Sequence, residues 1–121
     1  MAYDGSNTTG FASPATIYLE NVIDLAEILD LRKASRYPVR VIGGALASRG
    51  IVERDILVVD SALERKPDAI CVVMAAGEVF LAVLKRNAGS WFLVRGQGDE
   101  LPVTEDTEVW GIVSSIVRQT A

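Results

Sequence analysis

The 121-residue sequence has no histidine and only one cysteine, Cys71. Without an imidazole, Ser-His-Asp and Cys-His catalysis are excluded, and the commonest zinc ligand is missing. A single cysteine cannot close an internal disulfide, which suits a reducing compartment. It lies inside Ala69-Ile70-Cys71-Val72-Val73-Met74-Ala75, so a buried, inert thiol is expected. No cofactor and no metal site are expected. Long apolar runs are also lacking, and none approaches the roughly 18 residues of a membrane-crossing helix. Met1 to Thr9 is polar and acidic, without the basic start and apolar centre of a secretory signal. A cytoplasmic location without membrane attachment is therefore expected. Basic residues are scarce and scattered, with 12 Lys and Arg against 16 Asp and Glu and a net charge of −4. Neutralising phosphates takes clustered cations, so no direct nucleic-acid binding is expected. The nearest approach to a basic patch, Arg32-Lys33, Arg36 and Arg40, reads as a solvated helix end and turn.

Half of the residues are hydrophobic and 23% are charged, which predicts one folded domain with a single core. Residues 1–9 read as a flexible polar arm and residues 10–121 as the domain. Between Asn21 and Ala34, Val22, Leu25, Ile28 and Leu29 recur at helical spacing, with acids early and bases late. That order predicts a short amphipathic helix. The rest reads as strands: Val39–Gly43, Ile56–Asp60, Ala69–Ala75, Val79–Arg86, Ser90–Arg95 and a long last one over Thr107–Arg118. A short helical segment is expected at Ala45–Ser48. Ala76-Gly77 predicts a hairpin, and Asn87-Ala88-Gly89 marks a further turn. The runs Ala69–Ala75 and Val79–Leu84 are continuously apolar, so both faces of each are expected to be covered. The pattern gives a compact, mainly β fold with one short N-terminal helix.

One stretch is more specific. Gly43-Gly44-Ala45-Leu46, then Arg49-Gly50-Ile51, then Asp55-Ile56-Leu57-Val58-Val59-Asp60 resembles the LexA/UmuD family of self-cleaving Ser-Lys peptidases. In that family the run reads roughly Gly-Asp-Ser-Met, three residues, Gly-Ile, an acidic turn and the same hydrophobic strand between aspartates. Its lysine follows a Gly-Glu pair, five residues after the glycine and thirty-seven after the serine. Counted from Gly77-Glu78 and from residue 45, both intervals end on Ala82. Gly10-Phe11-Ala12-Ser13-Pro14, Tyr18, Glu20 and Ile23-Asp24-Leu25 are similar to the segment after the UmuD cleavage site. Val109-Trp110-Gly111-Ile112-Val113 is similar to the closing strand. The resemblance spans residues 9–118 and implies a LexA/signal-peptidase-like β-rich fold.

The resemblance also implies a dyad whose two positions are held by Ala45 and Ala82. Alanine supplies neither a nucleophile nor a base, so an inactive homologue is expected. Gly44 and Leu46 depart from the family's Asp and Met. Thr9-Gly10 stands at the cleavage-site position, where the family usually has Ala or Cys before the glycine. Ser48 and Lys85 lie three residues beyond the vacated positions, and the odd offset turns Lys85 to the opposite strand face from residue 82.

Three roles follow as expectations from the resemblance. The first is a UmuD-like accessory subunit, dimeric and bound to a Y-family translesion polymerase and a RecA filament in the DNA-damage response. The second is a module forming mixed dimers with an active paralogue and tuning its cleavage. The third, a LexA-type repressor, is disfavoured because the 44 residues before Ala45 leave no room for a helix-turn-helix. Acid-base chemistry by Glu105, Asp106 and Glu108 is weaker than a solvated-turn reading, and Gly96-Gln97-Gly98 is too short for a phosphate-binding loop.

Overall fold

The computed structural model describes residues 22–43 and 46–121. Among the described residues, seven strands form one antiparallel sheet in the order β1-β2-β7-β3-β4-β5-β6. The strands are β1 (Arg36–Arg40), β2 (Ile56–Asp60), β3 (Ile70–Ala75), β4 (Glu78–Asn87), β5 (Ser90–Val94), β6 (Glu100–Pro102) and β7 (Glu108–Val117). The expected mainly β architecture is what the chain adopts. Thr9, Gly10 and Ala45 lie outside the described residues.

The helix predicted over 21–34 is much shorter, a single turn α1 (Leu25–Ile28). Asp24 starts it by accepting hydrogen bonds from the Ala26 and Glu27 amides at 3.1 and 3.3 Å. Asp30 ends it at φ +54°, where its amide donates to the Glu27 carbonyl and that of Leu31 to the Ala26 carbonyl. These two bonds form a Schellman closure with aspartate in place of the usual glycine. None of the helical residues is buried, so there is no packed face to extend the turn against the cost of nucleation.

β1 begins three residues before the predicted Val39 because Arg36 is drawn to Asp60 across the pair. Pro38 fits there because β1 is an edge strand, where a missing amide costs no ladder bond. Ala47–Arg49 forms a 3₁₀ turn near the expected helical segment. β6, which pairs with β5, was not foreseen, since three residues broken by Pro102 carry little periodic signal.

Both tight hairpins have two-residue loops, Ala76-Gly77 and Ala88-Gly89. All four residues have positive φ, between +51° and +84°. This is the type I′ turn whose twist matches that of paired strands, with glycine taking the second left-handed position.

The two sheet faces carry separate cores. Val41, Leu46, Ile51, Leu57, Val59, Val72 and Val83 pack together on one face. On the other, Cys71, Val73, Ala82, Leu84, Leu93 and Ile112 form the second cluster. The continuous cover expected for β3 and β4 holds only at their centres. β5 pairs only with Val83–Asn87, so the first half of β4 lacks that neighbour, and Val79 is 54% exposed.

β7 carries two bulges. Ser114 is the extra residue against β2 and donates its hydroxyl to the Val58 carbonyl at 3.1 Å. Trp110 is the extra residue against β3. A bulge turns consecutive side chains to one side, and Gly111 leaves the space this requires. A Cβ on Gly111 would meet Val59 Cγ1 at 2.6 Å and the Asp60 carbonyl oxygen at 3.1 Å. Gly111→Ala should therefore cost about 1–3 kcal/mol by overpacking, read from urea denaturation. Ile116→Ala, at an exposed position of the same strand, should cost less than about 1 kcal/mol.

Candidate functional site

The aspartates at either end of β2, Asp55 and Asp60, tie neighbouring segments to that strand. Both are buried despite their charge. Asp60 Oδ2 accepts from Arg36 Nε at 2.8 Å, and Lys33 Nζ lies 3.5 Å away. Its Oδ1 accepts from the Ala62 amide at 2.8 Å. Arg36 also donates to the Leu29 carbonyl at 2.7 Å, tying the end of α1 to the sheet. Asp55 is held by a two-pronged contact from Arg118, whose Nε and Nη2 donate at 2.7 and 2.8 Å. The Val52 amide donates to Asp55 as well, at 2.9 Å, and Arg118 reaches the Gly50 carbonyl at 2.7 Å. The expected solvated basic patch is thus corrected in part: Arg36 and Lys33 face a buried carboxylate.

These contacts set the protonation of both acids. The Arg118 hydrogen bond, helped by the Val52 amide, lowers Asp55 to about 2. The Arg36 hydrogen bond holds Asp60 still further below the usual carboxylate range, against the opposing effect of burial. Both are ionised near neutral pH, where they act as structural anchors and cannot shuttle protons.

Ala82 is fully buried and stands opposite Cys71 across the β3–β4 pair. The second core cluster surrounds it with Val73, Leu84, Leu93 and Ile112. Cys71 Sγ donates weakly to the Ala82 carbonyl at 3.5 Å. Burial pushes the Cys71 thiol up to about 12, with the Arg65 charge opposing only slightly. The thiol is thus protonated near neutral pH and is not a nucleophile. An amine at position 82 would lose its water shell, which is how apolar burial lowers a lysine's pKa and leaves the amine unprotonated near neutral pH. Alanine there only completes the packing.

Lys85 forms an ion pair with Asp68, and its hydrogen bond lowers that carboxyl. Ser48 lies exposed on the 3₁₀ turn. No hydrogen bond joins Ser48 to Lys85 among the described residues. Glu105 and Asp106 occupy an exposed turn closed by the Thr104 and Thr107 hydroxyls, as their sequence setting implied. No metal-sized gathering of three or more His, Cys, Asp or Glu occurs among the described residues.

Sequence reasoning missed a cleft of about 520 Å³. Leu57, Val72 and Leu81 line it from the face opposite Ala82, with Tyr37 and Val39 of β1 at one side and Trp110 among its walls. The Gly96-Gln97 loop, read only as a connection, contributes to the rim. Alternation along a strand cannot reveal that Trp110 faces this space, because the bulge resets the alternation at that residue.

A sequence profile of the Peptidase S24-like family matches residues 2–113 of this chain. Similar proteins include Protein SamA of Salmonella typhimurium, 27% identical over 111 residues that cover 92% of this chain and 79% of SamA. Protein ImpA of Shigella flexneri and of Escherichia coli is 28% identical over 121 residues, covering 92% of this chain and 78% of ImpA.

Two outcomes follow from these ionisations. The folded-state values of Asp55 and Asp60 lie below the ordinary 3.8, so their contribution is complete above about pH 5 and is lost as the pH falls through 4 towards 2. Melting followed by circular dichroism should be nearly flat from about pH 7 to 5 and fall steeply below about 4. Asp55→Asn should melt lower at neutral pH and show a shallower acid slope. Cys71 should resist iodoacetamide in the folded protein at about pH 8 and react fully in denaturant, as read by intact mass.

Proposed function

The chain belongs to the Peptidase S24-like family, the LexA/UmuD group that its motifs resemble, and on that premise we propose that it is a non-catalytic, UmuD-like accessory subunit. In this reading it dimerises, with itself or with a UmuD-like paralogue, and binds a Y-family translesion polymerase in the DNA-damage response. A RecA filament is a further partner of the same reading, and the cytoplasm is the compartment in which these partners meet. No described helix is long and apolar enough to cross a membrane.

The observation that carries the proposal is the environment of Ala82. A Ser-Lys peptidase needs an unprotonated amine at this position, within hydrogen-bond reach of a hydroxyl. Residue 82 has a methyl group instead, sealed among Cys71, Leu84, Leu93 and Ile112. The nearby lysine, Lys85, is engaged by Asp68. With Ala45 in the serine position, hydrolysis has neither of its two participants, while the fold that presents a binding surface is retained. SamA and ImpA support the UmuD-like direction as relatives along nearly the whole chain.

Intact mass after prolonged alkaline incubation tests the vacated dyad. The natural chain should stay whole, whereas an Ala45→Ser, Ala82→Lys double variant should lose residues 1–9 by cleavage before Gly10. Cleavage of the natural chain at Gly10 would sink the pseudo-peptidase reading. Sedimentation of the purified chain with a Y-family polymerase at micromolar concentration tests the partner. Comigration is expected, and separate boundaries would count against the accessory role.

A further inference from the structure

The segment around α1 turns apolar side chains to water. Ile23, Leu25 and Ile28 are each more than half exposed, Ile28 by 59%. Asp24, Glu27 and Asp30 alternate with them and are exposed as well. Arg32 follows and opposes these acids, whereas Lys33 and Arg36 are turned to Asp60. Clustered, water-facing apolar groups between like charges mark a contact surface rather than a core.

The far end of β1 has the complementary character. Arg40 closes the strand, and its guanidinium lies 3.5 Å from the Arg54 carbonyl. Both arginines are exposed. Backbone bonds from Val41 to Asp55 and from Arg54 to Val41 hold them on adjacent segments. Beside them Ile42 is 82% exposed, and Val52 is exposed too. One acid, Glu53, lies among these residues and accepts from the Gly43 amide at 3.4 Å. Among the described residues, Glu27, Asp30, Arg40 and Arg54 take part in no ion pair.

The two ends are held apart. Arg36, at the start of β1, donates to the Leu29 carbonyl at 2.7 Å and moors α1 there. Arg40 stands at the other end of the same strand, about 14 Å away. One copy therefore does not bring its own acidic and basic ends together, but two copies can. We propose that this chain pairs with a second copy of itself by seating the acidic, apolar α1 segment of one on the end of the other that carries Arg40 and Arg54. Contact of Ile23, Leu25 and Ile28 with Ile42 and Val52 supplies attraction, and the opposed charges select the pairing. Two arginines with Glu53 beside them are too few cations for a phosphate backbone. The inference rests on the dimerisation in the proposed function, names the surfaces that make it, and is independent of polymerase binding.

Sedimentation velocity of the full chain between about 5 and 200 µM tests this. Association should appear in that range and weaken at least about fivefold between about 50 and 500 mM NaCl, as screening removes the charge contribution. Glu27→Arg and Arg40→Glu should each weaken it about tenfold, with melting by circular dichroism unchanged. Lys66→Glu, the same charge change as Arg40→Glu on the exposed loop before β3, should have no effect. An equimolar mixture of the Glu27→Arg and Arg40→Glu chains should recover association as one-to-one complexes, since each offers the other its intact end. Ile42→Ser should weaken association without altering its salt dependence. A mixture no tighter than either variant alone would overturn the proposal, because the two ends then do not meet. Unchanged association in both variants would overturn it while leaving dimerisation in place through another surface. A monomer throughout the range would remove both.

Discussion

Two buried negative charges govern this molecule. Asp55 immediately precedes β2 and Asp60 ends it, and both would be very costly to bury without partners. Each is neutralised from a different part of the chain: Arg118 from the end of β7, Arg36 from the start of β1 and Lys33 from the segment before it. Through Gly50 and Leu29 the same arginines also hold the 3₁₀ turn and the end of α1. Four segments are thereby fixed to β2 by charge-assisted bonds whose geometry leaves little freedom. The hydrophobic clusters alone would allow sliding that these contacts forbid.

On that frame β4 serves two environments at once. Leu81 faces the cleft and Ala82 the sealed core, as strand alternation requires. A small apolar side chain at residue 82 completes one core without altering the lining on the other face. The two faces of β4 are in this sense separate environments. The bulges of β7 sharpen the separation, since Trp110 is turned towards the cleft and Gly111 makes room for Val59.

Much of the architecture was legible beforehand. β2 was read at its observed bounds, and β3, β4, β5 and β7 within one residue at either end, because alternating or continuous apolar runs between turn residues are strong local signals. The Ala76-Gly77 hairpin and the inert Cys71 were equally plain. The failures share a cause in long-range contacts. Helical spacing before Ala34 promised more helix than an unpacked segment can sustain. β1 was displaced by an ion pair spanning 24 residues, and Arg36 looked solvated because its partner lies on the next strand, far outside any local window of the sequence.

The sequence by itself determined where most of the strands lie along the chain, the turns at Ala76-Gly77 and Asn87-Ala88-Gly89 and the absence of histidine chemistry, and it placed alanines at both counted positions, since these depend on residue type and local spacing. Only the tertiary structure decided that the motif's aspartates are clamped anchors, that Ala82 is sealed away from the cleft, and that Trp110 faces that cleft. Those facts arise from which face each strand presents after two bulges and from charges that meet across 24 and 63 residues. Periodicity records neither, because burial and pairing are properties of the assembled sheet.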